Sequence, residues 1–329
     1  MNKTQIRQFV LSHTISRELF FFFGGRKADL KRIDRTLAKG NLKLAEEKAD
    51  NVIVSLTSYG ERIAELKYTL YSLVSQSILP EKIIVNIAFE DEKYINEELK
   101  FFEQYGVEFY FCKDIRSYKK LIPTLERFPN ACIVTVDDDM YYAKDWLIRL
   151  YNEFQKHPDD VCGHIFHKIT YGNNRINQYH KWIKNHKALS AGKNIVGIGY
   201  GGILYPPGVF YKDILDESLF MTLAPFADDL WFYFMIVLNN KNIRQISNPL
   251  TNLKYVNPYR EYGITEGTTL MQQNVGENKN DIQFKNVLAH YGISEQRFIE
   301  YLEGKIDCLM LVVSNGQKRY IPNYTDDLG

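Results

Sequence analysis

The chain has 329 residues, of which 45% are hydrophobic and 25% charged, so it can bury a full globular core and is neither disordered nor fibrous. Its 41 Lys and Arg residues almost balance its 40 Asp and Glu residues, and a net charge of +1 argues against nucleic acid as a partner. The four cysteines show no C-x-x-C spacing and favour a reduced, cytosolic protein without a disulfide scaffold.

The chain begins with a basic arm, to which we assign residues 1–50. Residues 1–40 carry nine basic side chains against three acidic ones, and Phe20–Phe23 lie among them. Basic and aromatic residues together favour the surface of an anionic membrane, so residues 1–40 are a candidate for peripheral membrane contact. The alternative is a helical arm with a solvated basic face, because charge runs usually only solvate.

Strand and helix signals alternate after residue 50. Short apolar, β-branched runs predict strands, and apolar residues at three- and four-residue steps predict helices. The predicted strands are Asn51–Thr57, Lys82–Ala88, Val107–Cys112 and Ala131–Val136. The predicted helices between them cover residues 63–74, 91–105 and 118–128. This alternation predicts an α/β fold, with a mostly parallel sheet covered by helices on both faces and ligands beyond the carboxyl ends of its strands.

The second half of the chain is less regular. Residues 160–212 and 241–280 are rich in Gly, Asn, Pro and Tyr, which indicates loops and short strands that shape a site. An intensely apolar stretch, Leu230–Leu238, predicts a buried helix. From Asp281 onward we expect a C-terminal helical extension with helices at 284–291 and 295–302.

Three consecutive carboxylates, Asp137, Asp138 and Asp139, follow the strand at Ala131–Val136 directly. Clustered carboxylates repel one another unless a cation neutralises them, and hard oxygen ligands suit Mg²⁺ or Mn²⁺. Such sites complete their coordination with water and substrate phosphates, so the cluster points to a phosphorylated substrate. The alternative is an acidic turn or a cap for the helix that follows, near residues 144–150.

The order of several motifs resembles that of the nucleotide-sugar glycosyltransferases of the GT-A fold, particularly the family-2-like bacterial enzymes that build capsule, lipopolysaccharide and other surface glycans. These motifs are VSLTSY at 54–59, QSILPEKI at 76–83, DDD at 137–139, GIGYGGILYPPG at 197–208 and PFADDLW at 225–231. The resemblance covers roughly residues 51–260. It implies a Rossmann-like GT-A catalytic domain at 51–260, between the arm and an extension at 261–329.

The resemblance also implies roles for individual residues on the donor side. Asp137 and Asp139 would bind Mn²⁺ or Mg²⁺, and Asp138 a ribose or sugar hydroxyl. The first strand's end, with Thr57 and Tyr59, would hold the nucleotide. The remaining implied contacts to the nucleotide or donor sugar are Asp114, Lys119, Lys120, Gly201 and Gly202. For Lys119 and Lys120 a solvated helix face is an equal alternative.

Asp228 and Asp229 precede the predicted buried helix at Leu230–Leu238. The resemblance implies that this pair supplies the catalytic base of an inverting reaction, and the spacing slightly favours Asp229. One of the two carboxylates has the alternative role of capping the helix.

Other side chains carry weaker signals. His164 and His167 fall in a predicted strand over Val161–Ile169, where positions i and i+3 face opposite sides, so they are better explained as core or surface residues than as a ligand pair. Many of the 23 tyrosines lie in the irregular stretches, where sugar binding and plain packing are both open. They include Tyr171, Tyr179, Tyr200, Tyr205, Tyr255, Tyr259 and Tyr262.

The sequence therefore predicts a metal-dependent, inverting glycosyltransferase that moves a sugar from a nucleotide sugar, with UDP favoured, to a glycan or lipid-linked glycan acceptor in surface polysaccharide biosynthesis. Two alternatives are a metal-dependent nucleotidyltransferase or phosphohydrolase, and a non-catalytic carbohydrate-binding protein with the same fold. No apolar run reaches the ~18 residues that span a bilayer, and no signal-peptide pattern is present. We expect a cytoplasmic protein with at most peripheral contact at the inner face of the cell membrane.

Overall fold

The computed structural model describes residues 26–184, 191–251, 253–257, 278–310, 312–314 and 317–319. Residues 1–25, half of the predicted basic arm, therefore lie outside the described residues. The described part of the arm includes one helix, α1 (Arg26–Ala38), whose Ile33 is buried.

A seven-stranded sheet organises the molecule, in the order β12-β6-β11-β4-β1-β2-β3. The described strands are β1 (Val52–Thr57), β2 (Lys82–Ala88), β3 (Val107–Cys112), β4 (Cys132–Thr135), β5 (Met140–Tyr141), β6 (Val161–Gly163), β7 (Phe166–Lys168), β8 (Tyr171–Gly172), β9 (Arg175–Ile176), β10 (Ile195–Gly197), β11 (Ile203–Tyr205), β12 (Ile243–Gln245), β13 (Lys254–Tyr255), β14 (Val312–Ser314) and β15 (Gln317–Arg319). Within this sheet β11 runs antiparallel to β4 and β6, and the other described neighbours pair in parallel. The predicted fold class, a mostly parallel sheet flanked by helices, is confirmed.

Helices cover both faces of the sheet. The remaining described α-helices are α2 (Leu66–Val74), α3 (Glu97–Lys100), α4 (Ile122–Arg127), α5 (Trp146–Lys156), α6 (Glu217–Leu223), α7 (Asp228–Leu238), α8 (Lys279–His290) and α9 (Glu295–Leu302). The apolar side chains of α2 and α5 belong to one buried cluster, and those of α7, α8 and α9 belong to another. A hydrophobic layer therefore covers each face of the sheet. This explains why strands such as β1 are apolar at nearly every position, since both of their faces are buried.

The C-terminal helices pack onto α7. The ring of Phe234 lies 4.8 Å from that of Phe284 in α8 and 5.8 Å from that of Phe298 in α9, measured between centroids. The Tyr301 hydroxyl donates a hydrogen bond of 2.9 Å to the Val237 carbonyl. These contacts fix α8 and α9 against the helix that begins with Asp228 and Asp229.

Several predicted elements differ from the structure; the helix expected at 63–74, for example, begins as a 3-10 turn over Gly60–Glu65 before α2. The helix expected at 91–105 is a series of short pieces, with 3-10 turns at Phe89–Tyr94 and Phe101–Tyr105 on either side of α3. The helix expected at 118–128 begins as a 3-10 turn over Arg116–Lys120 and continues as α4, which has Pro123 in its first turn, a position that proline favours. The strand expected at 161–169 is split into β6 and β7, because the two halves pair with different partners, β11 and β10.

No single helix among the described residues is long and apolar enough to span a bilayer, although α6 and α7 taken together, with a 120° bend between them, match such a span in length and composition.

Candidate active site

The candidate site forms where β4 ends and α7 begins. β4 is fully buried, and Val136 continues it into a turn that carries Asp137, Asp138 and Asp139 before β5. This turn lies at the carboxyl end of a central parallel strand, the edge at which sheets of this class bind ligands. The tertiary structure brings to this turn side chains from the segment after β1, the 3-10 turn before α4 and the start of α7, and the backbone of the loop after β10.

Arg62 holds the second and third aspartates. Its guanidinium donates to both oxygens of Asp138 and, over 3.1 Å, to Asp139 Oδ2, while the Ser58 hydroxyl also donates to Asp138. Burial opposes the charge of Arg62, but the two carboxylates outweigh burial and raise its pKa. Asp138 is therefore fixed inward as the centre of a hydrogen-bonded network.

Lys120 links the aspartate turn to α7. Its buried Nζ lies 2.8 Å from Asp137 Oδ1 and 3.1 Å from Asp228 Oδ2. Burial opposes the ammonium charge, but Asp137, Asp228 and Asp229 together raise the pKa of Lys120 well above its usual value. The lysine is a permanent cation between two acidic motifs that are far apart in the sequence. The alternative of a solvated helix face is wrong for Lys120.

The two aspartates of α7 have different neighbours. Asp228 accepts a 2.8 Å hydrogen bond from the Ser117 hydroxyl, and Asp229 Oδ2 accepts one of 3.1 Å from the Gly199 amide. The helix cap is Ala227, and neither carboxylate makes a capping hydrogen bond, so capping does not explain the pair. Burial and the charge of Asp228 raise the pKa of Asp229 to about 7.

The predicted role of Asp229 as a general base stays a prediction, and its surroundings are compatible with that role. Asp229 lies deep among other charges but keeps part of its surface accessible, and its pKa near neutrality lets it accept a proton and release it again. The carboxylate is also oriented by the Gly199 N–H. The accessible part of the Asp229 carboxylate could accept a proton from the hydroxyl group of a bound substrate.

The glycine-rich segment at 197–208 brings the backbone of Gly199, Gly201 and Gly202 close to other groups of the protein, and no open cavity lies beside these three glycines. A side chain at Gly199 would meet Lys120 Nζ at 2.9 Å and Asp229 Oδ1 at 3.0 Å, so this glycine lies against the charged groups themselves. Gly201 and Gly202 instead meet protein: a Cβ at Gly202 would lie 2.2 Å from the Trp146 ring, and one at Gly201 would lie 2.8 Å from Ile165. Gly202 also has a positive φ of 86°, which favours glycine. Packing accounts for Gly201 and Gly202, and their predicted contact with the donor stays a prediction.

The other residues predicted on the donor side occupy separate positions. Thr57 ends β1 and donates a 2.7 Å hydrogen bond to the Asn86 carbonyl, while Tyr59 is exposed, with its ring 5.1 Å from the Arg62 guanidinium. Lys119 is buried and pairs with Asp114 after β3, and Asp137 is not its partner. Two consecutive lysines thus pair with different carboxylates, and a solvated helix face is wrong for Lys119 as well.

His164 is a core residue, as the sequence favoured. Its Nδ1 accepts a 2.9 Å hydrogen bond from the Leu250 amide, and its Nε2 lies 3.2 Å from the Trp146 carbonyl. Burial lowers the pKa of this imidazole to about 4, which keeps it neutral.

Asp137 and Asp139 suit a divalent cation by chemistry, because both present carboxylate oxygens at the open end of the sheet. Among the described ranges no three Asp, Glu, His or Cys side chains come together as a metal site. A magnesium or manganese site built from two carboxylates and substrate phosphates remains compatible with these residues. Five aspartates, at 137–139 and 228–229, face the two cations Arg62 and Lys120, and this excess of negative charge favours a bound cation.

Three functional candidates were missed by sequence reasoning: Ser58, Arg62 and Ser117. Each precedes or follows a predicted element by a few residues, where polar side chains are common, so none stood out. Arg62 carried one usable signal, because it is the first cation after the end of β1, the strand end expected at the site.

Residues 124–217 match the model of a family described as glycosyl transferase family 2. The match covers less than a third of the chain and contains the aspartate turn and the glycine segment, but not Lys120, Asp228 or Asp229. It supports a glycosyltransferase of the family-2 type, which uses a nucleotide sugar as donor, and the sheet is consistent with a GT-A, Rossmann-like fold. A comparison with curated proteins finds no match.

Proposed function

We propose that this protein is a metal-dependent, inverting glycosyltransferase that moves a sugar from a nucleotide sugar, with UDP favoured, to a glycan or lipid-linked glycan of surface polysaccharide biosynthesis. One observation carries the proposal. Lys120 Nζ pairs with Asp137 in the aspartate turn and with Asp228 beside Asp229, so the predicted donor side and the predicted base share one charged cluster.

The reaction we propose is a single displacement. An acceptor hydroxyl gives its proton to Asp229, its oxygen forms a bond to the anomeric carbon of the donor, and the bond from that carbon to the diphosphate breaks. The Gly199 amide holds Asp229 in place during the transfer. Attack opposite the leaving group inverts the anomeric configuration, and no protein nucleophile is required.

The leaving diphosphate needs compensation for its negative charge. Asp137 and Asp139 would hold Mg²⁺ or Mn²⁺, which when bound supplies positive charge to the diphosphate oxygens. Arg62 and Lys120 hold the carboxylates of the turn in position and add fixed positive charge on the donor side. Thr57 and Tyr59 lie at and just after the end of β1, where the nucleotide would bind, whereas Asp138 is turned inward toward Ser58 and Arg62.

Ligand binding and turnover test this proposal separately. Thermal unfolding is measured with a panel of nucleoside diphosphates and UDP-sugars, with and without Mn²⁺, because a ligand that binds the folded state raises its apparent stability. We expect a Mn²⁺-dependent shift with UDP compounds in the native protein and its loss in Asp139→Ala. The matched control is Asp145→Asn, a change to the residue that precedes α5 and pairs with Arg149.

Asp229→Asn distinguishes the alternatives. An inverting transferase keeps the nucleotide shift in this variant but loses sugar transfer, and its product has the opposite anomeric configuration to its donor. A nucleotidyltransferase or phosphohydrolase turns over its substrate without a sugar acceptor, and a carbohydrate-binding protein keeps its affinity without turnover in the native form. Either result contradicts the proposal.

The place of action is part of the proposal. The excess of positive charge in residues 1–40 supports peripheral contact with the anionic inner face of the cell membrane, where lipid-linked acceptors are found. Flotation of the full chain with vesicles of phosphatidylcholine and 30% phosphatidylglycerol tests it, and equal flotation with pure phosphatidylcholine vesicles contradicts the electrostatic contact.

A further inference from the structure

Residues 171–184 form a segment that is held by the C-terminal helices. The segment consists of the hairpin β8–β9 and a 3-10 turn at Tyr179–Lys181. The Tyr179 amide donates a 2.7 Å hydrogen bond to Asp281 of α8, and the Ile176 amide donates one of 2.7 Å to Glu295 of α9. Hydrogen bonds from amides to ionised carboxylates are among the stronger ones in proteins, so both helices fix the segment.

Apolar contacts reinforce this attachment. The Trp182 ring lies edge-on to Phe284 of α8 at 5.6 Å, and its indole N–H donates a 2.9 Å hydrogen bond to the Asn177 carbonyl within the segment. The ring of Tyr179 lies 4.8 Å from that of Trp182. The backbone and rings of the 3-10 turn are therefore preorganised on α8.

The segment contacts β7, whose partner strand β10 leads to the backbone amide that orients Asp229. The ring of Tyr179 lies 6.1 Å from His167 in β7, which pairs with Val196 in β10, and β10 leads directly to Gly199 and its hydrogen bond to Asp229. Burial, with a smaller contribution from the charge of Asp229, raises the pKa of Tyr179. Part of the Tyr179 surface stays accessible.

We propose that the 3-10 turn Tyr179–Lys181 forms the subsite for the acceptor sugar, with Tyr179 contacting a pyranoside ring next to Asp229 and Asp281 acting as a positioning residue. The inference rests on the proposed function and adds to it the surface that selects the acceptor. A tyrosine suits this role, because its ring face packs against the C–H groups of a sugar while its hydroxyl hydrogen-bonds to sugar hydroxyls. In this proposal α8 and α9 influence which acceptor sugar binds, because they hold the segment that contacts it.

The test measures acceptor binding apart from donor chemistry. Saturation-transfer NMR is recorded for methyl α- and β-glycosides of glucose, galactose and N-acetylglucosamine with the full chain, Mn²⁺ and UDP. Hydrolysis of the UDP-sugar that the native protein turns over, with water as acceptor, is measured in parallel. We expect Tyr179→Phe to weaken glycoside binding at least five-fold and to leave hydrolysis within two-fold of the native rate.

Matched variants distinguish the loss of a direct contact with the sugar from a general disturbance of the segment's structure. Tyr171→Phe removes a hydroxyl from the same segment, where it interacts with Glu303 rather than with Asp229, and we expect native glycoside binding. Asp281→Ala should weaken glycoside binding, and Asp281→Asn, which keeps an oxygen acceptor for the Tyr179 amide, should restore it.

Three results would overturn the inference: native glycoside binding in Tyr179→Phe, an equal loss in Tyr171→Phe, or no saturation transfer from any glycoside to the native protein. Absence of both nucleotide binding and donor hydrolysis in the native protein contradicts the proposed function instead. The glycoside comparison between the variants still decides the inference in that case.

Discussion

The buried lysine at the centre of the candidate site should contribute strongly to stability. Lys120→Met keeps an unbranched stem of similar volume but removes the charge, leaving Asp137 and Asp228 without their cation. Removing one partner of a buried ion pair costs about 3–5 kcal/mol. The Asp228 side chain is only 12% exposed, whereas that of Asp137 is 31% exposed and recovers part of its hydration, so we expect a loss of about 3 kcal/mol in the free energy of unfolding at pH 8.

Urea unfolding, followed by tryptophan fluorescence, measures this loss. The matched control is Lys119→Met, which removes a neighbouring buried lysine whose partner, Asp114, is 55% exposed and readily rehydrated. We expect the control to lose about 1 kcal/mol or less. At pH 5 protonation of Asp229, whose pKa is about 7, lowers the repulsion that Lys120 offsets, so the difference between Lys120→Met and the native protein should shrink. Equal losses in the two variants at pH 8 would refute the central role of Lys120.

The remaining predictions concern the base and the glycines. Because folding raises the pKa of Asp229, the native state holds a proton that the unfolded chain has lost, and stability falls as pH rises from about 4 to 7. After discounting for its partial exposure, Asp229→Asn should stabilise the fold by about 1–2 kcal/mol at pH 8 and hardly at pH 5, measured by urea unfolding. Gly199→Ala places a methyl group against Lys120 Nζ and Asp229 Oδ1, and should lower transfer by about 10²-fold at a stability cost under about 1 kcal/mol. Gly202→Ala, at a positive φ and against the Trp146 ring, should destabilise by about 3 kcal/mol in the same assay.

Each of these has an outcome that contradicts it. Unchanged stability of Asp229→Asn between pH 5 and 8, relative to the native protein, would mean that the aspartate is not raised in pKa. Full transfer activity in Gly199→Ala would mean that the charged groups around this glycine do not take part. A Gly202→Ala protein as stable as Gly199→Ala would contradict the packing against Trp146.

Sequence patterns alone located the main strands and both acidic motifs. β2 and β3 have the predicted bounds, β1 begins one residue later than predicted, and β4 is one residue shorter at each end. Short apolar, β-branched runs bounded by turn residues are a strong local signal for a strand. The positions of Asp137–Asp139 after β4 and of Asp228 and Asp229 at the start of α7 followed from the same patterns.

Only the tertiary structure decided how these motifs meet. Neighbours in a 3-10 turn point in different directions, so Lys119 turns to Asp114 while Lys120 joins Asp137 to Asp228, and no local pattern distinguishes the two lysines. The selection of Arg62 as partner of the aspartate turn likewise depends on contacts between distant parts of the chain. Local periodicity reports which face of an element is buried, whereas the pairing of charges depends on which elements the folded core brings side by side.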